Sequence, residues 1–157
     1  MASVHRQTLV ELVKARGWRV GAELGVDKGI LFGLLLSQCP DLHLTGVDVF
    51  PDLRRSHRVF DLAAGYSDRC EVLRMTTKDA AQLYPDGAFD FVFVDADHSY
   101  AAVKADIAKW APKVRAGGWL GGHDYHPKKF KGVVDAVDKA FGSAVHHLPG
   151  TIWGVWR

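Results

Sequence analysis

The 157-residue sequence predicts an α/β fold in which a doubly wound, mostly parallel sheet lies between layers of helices. Apolar runs typical of buried strands alternate with segments of helical spacing, and two of these runs end abruptly in acids and histidines. No repeat, linker or low-complexity segment interrupts this pattern. We therefore expect one domain over residues 1–157, with an N-terminal helix in 1–17 and the core in 18–157.

The first half of the chain alternates helix and strand three times. Its first helix places Leu9, Leu12 and Val13 at helical spacing, and Gly17 ends it. The second helix is apolar nearly all round, so we expect it to be enclosed in the core. In order, the predicted elements are helix 7–16, strand 20–24, helix 30–38, strand 42–49, helix 55–64 and strand 69–75.

The second half of the chain continues the alternation and then departs from it. Ser99 is a candidate cap for a helix whose apolar face includes Tyr100 and Trp110. The last two strands predict a hairpin around Gly150, which would place one antiparallel strand in the sheet. The elements are short helix 79–83, strand 89–95, helix 99–113, strand 119–122, helix 130–141 and strands 144–148 and 152–156.

Composition and charge narrow the class of protein. The formal net charge of +2 gives no electrostatic reason to expect nucleic acid or an anionic membrane as a partner. The two cysteines, Cys39 and Cys70, form neither a disulfide framework nor a zinc motif, and they suit a reducing compartment. The N-terminus lacks the layout of a signal peptide, and no apolar run has membrane-spanning length. We expect a cytoplasmic enzyme or binding domain.

A glycine-containing turn follows the first strand, in the segment E-L-G-V-D-K-G. The dinucleotide fingerprint needs glycines at positions i, i+2 and i+5, but after Gly25 those positions hold Asp27 and Ile30. Glu23 at the strand end would repel a pyrophosphate and attract an ammonium group. Asp48, at the end of the second strand, can accept both hydroxyls of a ribose. A purely structural turn and a solvated loop acid are the alternatives.

Acids and imidazoles cluster after the fourth and fifth strands, whose carboxyl ends would share one edge of the sheet. Such a set can hold a divalent cation, and a histidine can accept a proton from a hydroxyl group. Alternatively, the acids cap turns and the histidines pack against aromatic rings. The residues concerned are Asp95, Asp97, His98, His123 and Asp124.

These segments resemble small class I S-adenosylmethionine-dependent methyltransferases over nearly the whole chain. The resemblance rests on E-L-G-V-D-K-G, on Asp48, on F-D-F-V-F-V-D-A-D-H-S-Y and on A-G-G-W-L-G-G-H-D-Y. It is strongest to the branch related to metal-dependent O-methyltransferases acting on catechols, caffeoyl thioesters and antibiotic sugars. This implies a Rossmann-like sheet of seven strands, in the order 3-2-1-4-5-7-6, with strand 7 antiparallel.

The resemblance also implies roles for individual residues. S-adenosylmethionine would be bound by Glu23, Gly25, Gly29, Asp48, Thr77 and Asp95, with Asp48 at the ribose and Thr77 near the adenine. A divalent cation such as Mg²⁺ would be held by Asp95, His123 and Asp124. His123 departs from the family pattern, in which Asp-Asn or Asp-Asp is usual, so it could be a ligand or a base. His98 matches a catalytic histidine of sugar-modifying relatives, and Asp97 is the rival base.

The sequence thus predicts a methyltransferase that acts on a hydroxyl group of a small molecule, either a sugar or a phenol. Because the chain is close to the bare catalytic core, the acceptor pocket would be open, roofed by a second subunit in a homodimer, or shaped by the loop 125–129. Two alternatives remain at this point: a non-catalytic or partner-dependent nucleoside-binding module, and an NAD-dependent oxidoreductase.

Overall fold

The structure, a computed structural model, describes residues 3–157 and contains one seven-stranded sheet. Its strands are β1 (Val20–Leu24), β2 (His43–Asp48), β3 (Cys70–Arg74), β4 (Phe89–Val94), β5 (Val114–Gly122), β6 (His146–Leu148) and β7 (Ile152–Trp156). Their order is β3-β2-β1-β4-β5-β7-β6. β1 to β5 pair in parallel, and β7 is antiparallel to both of its neighbours. The predicted fold class, strand order and antiparallel strand 7 are confirmed.

In the part of the chain that the structure describes, six α-helices flank the sheet: α1 (Val4–Arg16), α2 (Ile30–Gln38), α3 (Leu53–Ala64), α4 (Thr77–Ala80), α5 (Tyr100–Trp110) and α6 (Lys131–Phe141). The side chains of Asp52, Thr76 and Ser99 cap α3, α4 and α5 by accepting backbone N–H groups. The first two caps explain why α3 and α4 begin two residues earlier than predicted. Within residues 3–157, no helix is both long and apolar enough to cross a membrane.

The central strand β4 is buried on both faces, and each face has its own apolar cluster. Val92 and Val94 face a cluster that includes Trp110 of α5. Phe91 and Phe93 face the other cluster, which α1 and α2 cover. The alternation follows the two-residue period of a strand, and burial on both faces explains why β4 reads as a continuous apolar run.

β5 is longer than predicted, because it begins at Val114 rather than at Trp119. The extra segment contains Gly117 with φ +75°, and the β4–β5 pairing shifts register beside it. A Cβ on Gly118 would lie 2.5 Å from the carbonyl oxygen of Asp90, so the bulge needs glycine. Because the polar, glycine-rich sequence is typical of a turn, the first part of β5 was not predicted as a strand.

Two predictions about burial are wrong. Ile30, in a helix expected to be enclosed on all sides, is 47% exposed because it lines the cleft described below. Tyr100, expected to pack in the core, is 39% exposed because it is the first residue of α5, directly after the cap.

The turn between β6 and β7 supports two other segments. The carbonyl oxygen of Thr151 accepts the N–H of Tyr125, at 3.0 Å, in the segment that follows β5. Gly150, with φ +82°, lies so close to α1 that a Cβ would be 2.4 Å from the backbone nitrogen of His5. The hairpin therefore fixes both the end of β5 and the beginning of α1.

α6 packs directly against the backbone that follows β4. A Cβ on Gly132 would lie 2.7 Å from the carbonyl oxygen of His98 and 2.7 Å from the backbone nitrogen of Tyr100. Because both contacts are with backbone atoms, neither can move aside cheaply. Gly132 thus sets the position of His98 relative to α6.

We expect Gly132→Ala to destabilise the protein by about 1–3 kcal/mol, because the added methyl group overpacks this contact. Gly65→Ala is the matched control, since Gly65 has right-handed helical dihedrals and a Cβ there would meet only one atom, at 3.4 Å. The control should be neutral or more stable by up to about 1 kcal/mol. Urea denaturation of the two variants measures the difference, and equal stabilities would contradict this account of the contact.

Candidate functional site

A cleft of about 970 Å³ opens at the carboxyl ends of the central strands, where α/β sheets bind ligands. Eight of the predicted site residues line it: Glu23, Gly25, Asp48, Thr77, Asp95, Asp97, His98 and Asp124. Gly29 and His123 do not line the cleft. Gly29 precedes α2 as its N-cap, with φ +72°, and His123 lies behind Asp95 and Asp124.

Gly25 determines how closely the ends of β1 and β4 approach each other. Its φ is +91°, and a Cβ would lie 2.1 Å from the carbonyl oxygen of Asp95. Its N–H donates to the carbonyl oxygen of Val47 at 2.8 Å, which also joins it to β2. The turn therefore requires glycine, and it brings the ends of three strands together at the cleft.

Glu23 is a buried acid in the wall of this cleft. Only 2% of the residue is exposed, and its Oε2 has no hydrogen-bond partner within residues 3–157. Burial raises the pKa of Glu23 well above its usual value, and the nearby carboxylates of Asp95 and Asp48 raise it further. A buried carboxyl oxygen without a partner is costly, so this position suits a ligand that carries a cation or a hydrogen-bond donor.

The carboxylate of Asp48 is held rigidly at the edge of the cleft. Its Oδ2 accepts the N–H of Asp27 at 2.8 Å, and its Oδ1 accepts the N–H of Phe50 at 2.7 Å. Both of these residues have positive φ, at 49° and 46°. Each carboxylate oxygen still has a lone pair for a ligand, so Asp48 is positioned to accept further hydrogen bonds.

Thr77 and Asp106 form a pair further along the cleft. The hydroxyl group of Thr77 donates to Oδ1 of Asp106 at 2.5 Å. Asp106 is buried, and this raises its pKa to about 6. Asp106 was not predicted as a site residue, although an acid beside Ile107 in a helix with an apolar face was an available signal.

His123, Asp124, His98 and Asp95 form one connected cluster after β4 and β5. Nε2 of His98 lies 2.6 Å from Oδ2 of Asp124. Nδ1 of His123 lies 3.1 Å from Oδ1 of Asp124 and 3.5 Å from Oδ1 of Asp95. Burial alone would lower the pKa of His123, but the contacts with the two carboxylates outweigh it and raise the pKa to about 9. His123 is therefore protonated at neutral pH.

His98 is fixed on two sides. Its ring stacks on Phe130 with 4.7 Å between centroids, and its Nε2 faces Asp124, a residue with φ +61°. Asp97, by contrast, accepts the N–H of Ser99 at 2.7 Å, and this hydrogen bond lowers its pKa. The carboxylate of Asp97 thus caps the turn before α5.

Two cleft residues from α1 were missed by the sequence analysis. His5 lies on His123 with 3.9 Å between ring centroids, and Arg6 also lines the cleft. Burial lowers the pKa of His5 to about 4, and the charge of His123 adds to the effect. No sequence pattern links α1 to the end of β5, because only the tertiary fold brings them together.

The cluster has the donor atoms for a divalent cation. The ligand atoms of Asp95, His98 and Asp124 lie within 4.8 Å of one another, as do those of His5, Asp95 and His123. Two carboxylates with adjacent imidazoles match the ligand types that divalent metals use. Two residues of the predicted set, Asp95 and Asp124, fall in the first group, whereas His123 falls in the second.

A family model described as a methyltransferase domain matches residues 22–125, which is well over half of the chain. This segment contains the ends of β1, β2, β4 and β5, and with them all the predicted site residues. No curated protein sequence gives a significant match.

Solved structures with the same fold include several O-methyltransferases. A Staphylococcus aureus protein assigned as a caffeoyl-CoA O-methyltransferase is 13% identical, with a TM-score of 0.79 over 100% of this chain and 85% of its own. A Bacillus cereus O-methyltransferase in complex with S-adenosylhomocysteine is 18% identical, with a TM-score of 0.75 over 98% and 80%. A TDP-rhamnose 3'-O-methyltransferase of calicheamicin biosynthesis is 16% identical, with a TM-score of 0.78 over 97% and 80%.

Identities this low establish the fold alone, whereas the family match covers the strand ends that build the cleft. The strand order, with β7 antiparallel, is that of the class I methyltransferases that the sequence resembles. The chain therefore belongs to the methyltransferase domain family and is a methyltransferase with the class I fold.

Proposed function

We propose that this methyltransferase transfers the methyl group of S-adenosylmethionine to a hydroxyl oxygen of a small molecule, either a sugar or a phenol. The observation that carries the proposal is the composition of the cleft. One cleft contains a rigidly held carboxylate for a ribose, Asp48, a buried acid for an ammonium group, Glu23, and an oriented imidazole, His98.

The charge of the cleft favours this cofactor over a dinucleotide. Glu23, Asp48 and Asp95 lie close enough for the two aspartates to raise the pKa of Glu23 beyond the effect of burial. Such a group of acids attracts a ligand with ammonium and sulfonium charges and repels a pyrophosphate. The adenine would lie beside Thr77 and Asp106, whose carboxylate can accept a hydrogen bond from an amino group.

When bound, S-adenosylmethionine supplies an electrophilic methyl group on a sulfonium, so the protein must align the acceptor oxygen and remove its proton. Asp124 accepts a hydrogen bond from Nε2 of His98, so Nδ1 is the ring nitrogen left to accept a proton. His98 can thus take the hydroxyl proton at Nδ1 as the new C–O bond forms and the C–S bond breaks. Phe130 prevents the ring from tilting away.

The other two candidate bases are less suited to this step. The carboxylate of Asp97 has a lowered pKa, because it accepts the N–H of Ser99. His123 has a pKa raised to about 9 by Asp124 and Asp95, so at neutral pH it lacks a free lone pair. These differences support His98 as the base, with Asp124 as its positioning residue.

The cluster also fits a divalent cation, which the carboxylates of Asp95 and Asp124 and the imidazole of His98 would hold. His123, the third ligand implied by the resemblance, would have to release its proton to bind the cation. A bound cation would lower the pKa of the acceptor hydroxyl group. The imidazoles favour a transition metal over Mg²⁺, since Mg²⁺ prefers oxygen ligands.

The acceptor class is supported by the function of proteins with this fold. One acts on the 3'-hydroxyl of TDP-rhamnose, and another is assigned to caffeoyl-CoA, which carries phenols. A second copy of the chain that covers the cleft would form a homodimer.

Calorimetric titration with S-adenosylhomocysteine tests the cofactor. We expect micromolar binding to the wild-type protein and no detectable binding of NAD. Asp48→Ala should weaken S-adenosylhomocysteine binding about 10- to 100-fold, because hydrogen bonds to a charged group are lost. Asp61→Ala, at an exposed position of α3, is the matched control and should bind like the wild type.

NAD binding without S-adenosylhomocysteine binding would overturn the proposal in favour of an oxidoreductase. Binding of neither would point to a module that needs a partner. An unchanged affinity in Asp48→Ala would reject the ribose role for that residue while leaving the cofactor class intact.

His98→Ala should lower methyl transfer about 10²- to 10⁴-fold, the usual contribution of a general base, while the affinity for S-adenosylhomocysteine stays within about two-fold. Turnover with a panel of sugars and phenols measures the first quantity, and calorimetry measures the second. His57→Ala, an exposed histidine of α3, provides the control. A large loss of cofactor binding in His98→Ala would contradict its assignment as the base.

The same turnover assay after treatment with EDTA distinguishes activation of the acceptor by His98 alone from activation that also needs a divalent cation. If His98 alone activates the acceptor, turnover remains after EDTA treatment. If turnover disappears and returns with Mn²⁺, the carboxylates and imidazoles act as cation ligands.

A further inference from the structure

Arg6 is the second residue of the chain's own α1 that reaches the cleft, and the proposed function gives it no role. Its side chain is half-buried and lines the same cleft as Glu23. Within residues 3–157 its guanidinium group makes no hydrogen bond and no ion pair. A guanidinium group has five N–H donors in a planar fork that matches a carboxylate, so its position calls for an anionic partner.

The cleft therefore contains an acid and a guanidinium group that are not paired with each other. Glu23 has a buried Oε2 without a partner, and Arg6 is not within ion-pair distance of it. Both residues line the same cleft, and the positive charge of Arg6 partly offsets the rise in the pKa of Glu23 that burial and Asp95 cause. A ligand that presents an ammonium group and a carboxylate on one carbon atom could satisfy both.

We propose that Arg6 binds the carboxylate of the cofactor's amino-acid portion while Glu23 binds its ammonium group. This inference rests on the proposed function, since it concerns the same cofactor. It makes α1 a wall of the binding site rather than only a packing element. Arg6 then becomes a residue that determines specificity for an intact α-amino acid.

The fold holds Arg6 in place for this role. Leu9, Val10 and Val13 anchor α1 in the core, with exposures of 0%, 0% and 1%. The turn at Gly150 packs against the backbone of His5, directly before Arg6. Because the backbone of α1 is already fixed, only the side chain of Arg6 has to become ordered when the ligand binds.

An acidic group on the acceptor is the competing partner for Arg6. The amino-acid carboxylate is favoured, because Arg6 and Glu23 line one cleft and the cofactor's ammonium and carboxylate groups are borne by one carbon. A cofactor analogue that lacks only the carboxylate distinguishes these two possible binding partners of Arg6.

The experiment compares S-adenosylhomocysteine with its decarboxylated analogue, which keeps the amine. Calorimetry on the full chain should show wild-type protein binding S-adenosylhomocysteine about 10- to 100-fold more tightly than the analogue. Arg6→Gln should weaken S-adenosylhomocysteine binding by the same factor and leave the analogue unchanged. Glu23→Gln should weaken both ligands, since both carry the amine.

Arg58→Gln, at an exposed position of α3 outside the cleft, is the matched control and should alter neither affinity. Arg6→Lys keeps the positive charge but lacks the planar guanidinium group. Its affinity for S-adenosylhomocysteine should therefore fall less than that of Arg6→Gln. Thermal unfolding of each variant identifies any that fail to fold, and Arg6→Lys then serves as the test.

Equal losses for both ligands in Arg6→Gln would show a structural role and overturn the inference. Unchanged affinity for S-adenosylhomocysteine in that variant would also overturn it, and a loss confined to turnover would assign Arg6 to the acceptor instead. Wild-type protein that binds neither ligand would reject the proposed function itself, and with it this role of Arg6.

Discussion

The close approach of the β1 and β4 ends at Gly25 is the constraint on which the site depends. The carbonyl oxygen of Asp95 occupies the space that a Cβ of Gly25 would fill, and the N–H of Asp95 donates to the carbonyl oxygen of Leu24 at 2.7 Å. This contact places the carboxyl groups of Glu23, Asp48 and Asp95 around one cleft. Any side chain at position 25 would separate the strands that carry them.

Crowding these acids has an electrostatic consequence. Burial raises the pKa values of both Glu23 and Asp95, and neighbouring carboxylates add to the rise in each, although the hydrogen bond and charge of His123 partly offset it for Asp95. The cleft is thus unfavourable for negative charge, and a cationic ligand relieves the cost. This arrangement destabilises the ionised acids, and it therefore selects a cofactor with ammonium and sulfonium groups. The close approach of the strand ends thus explains the cofactor that we propose.

Much of this site could be predicted from the sequence, because parallel strands bring their carboxyl ends to one edge. Asp48 and Asp95 follow apolar strands, and their position needs no tertiary information beyond that rule. The strand limits of β5 were less predictable, because the bulge at Gly117 depends on the neighbouring strand. His5 and Arg6 could not be predicted, since they reach the cleft only through the packing of α1 and the contact with Gly150.

The most direct measurement of the central claim is a crystal structure of the protein with S-adenosylhomocysteine. Our account predicts that both ribose hydroxyl groups donate to Asp48, that the amine contacts Glu23, and that the sulfur faces His98 across the space for the acceptor. A ligand bound in the reverse direction, with the sulfur away from His98, or bound outside the cleft, would contradict the account.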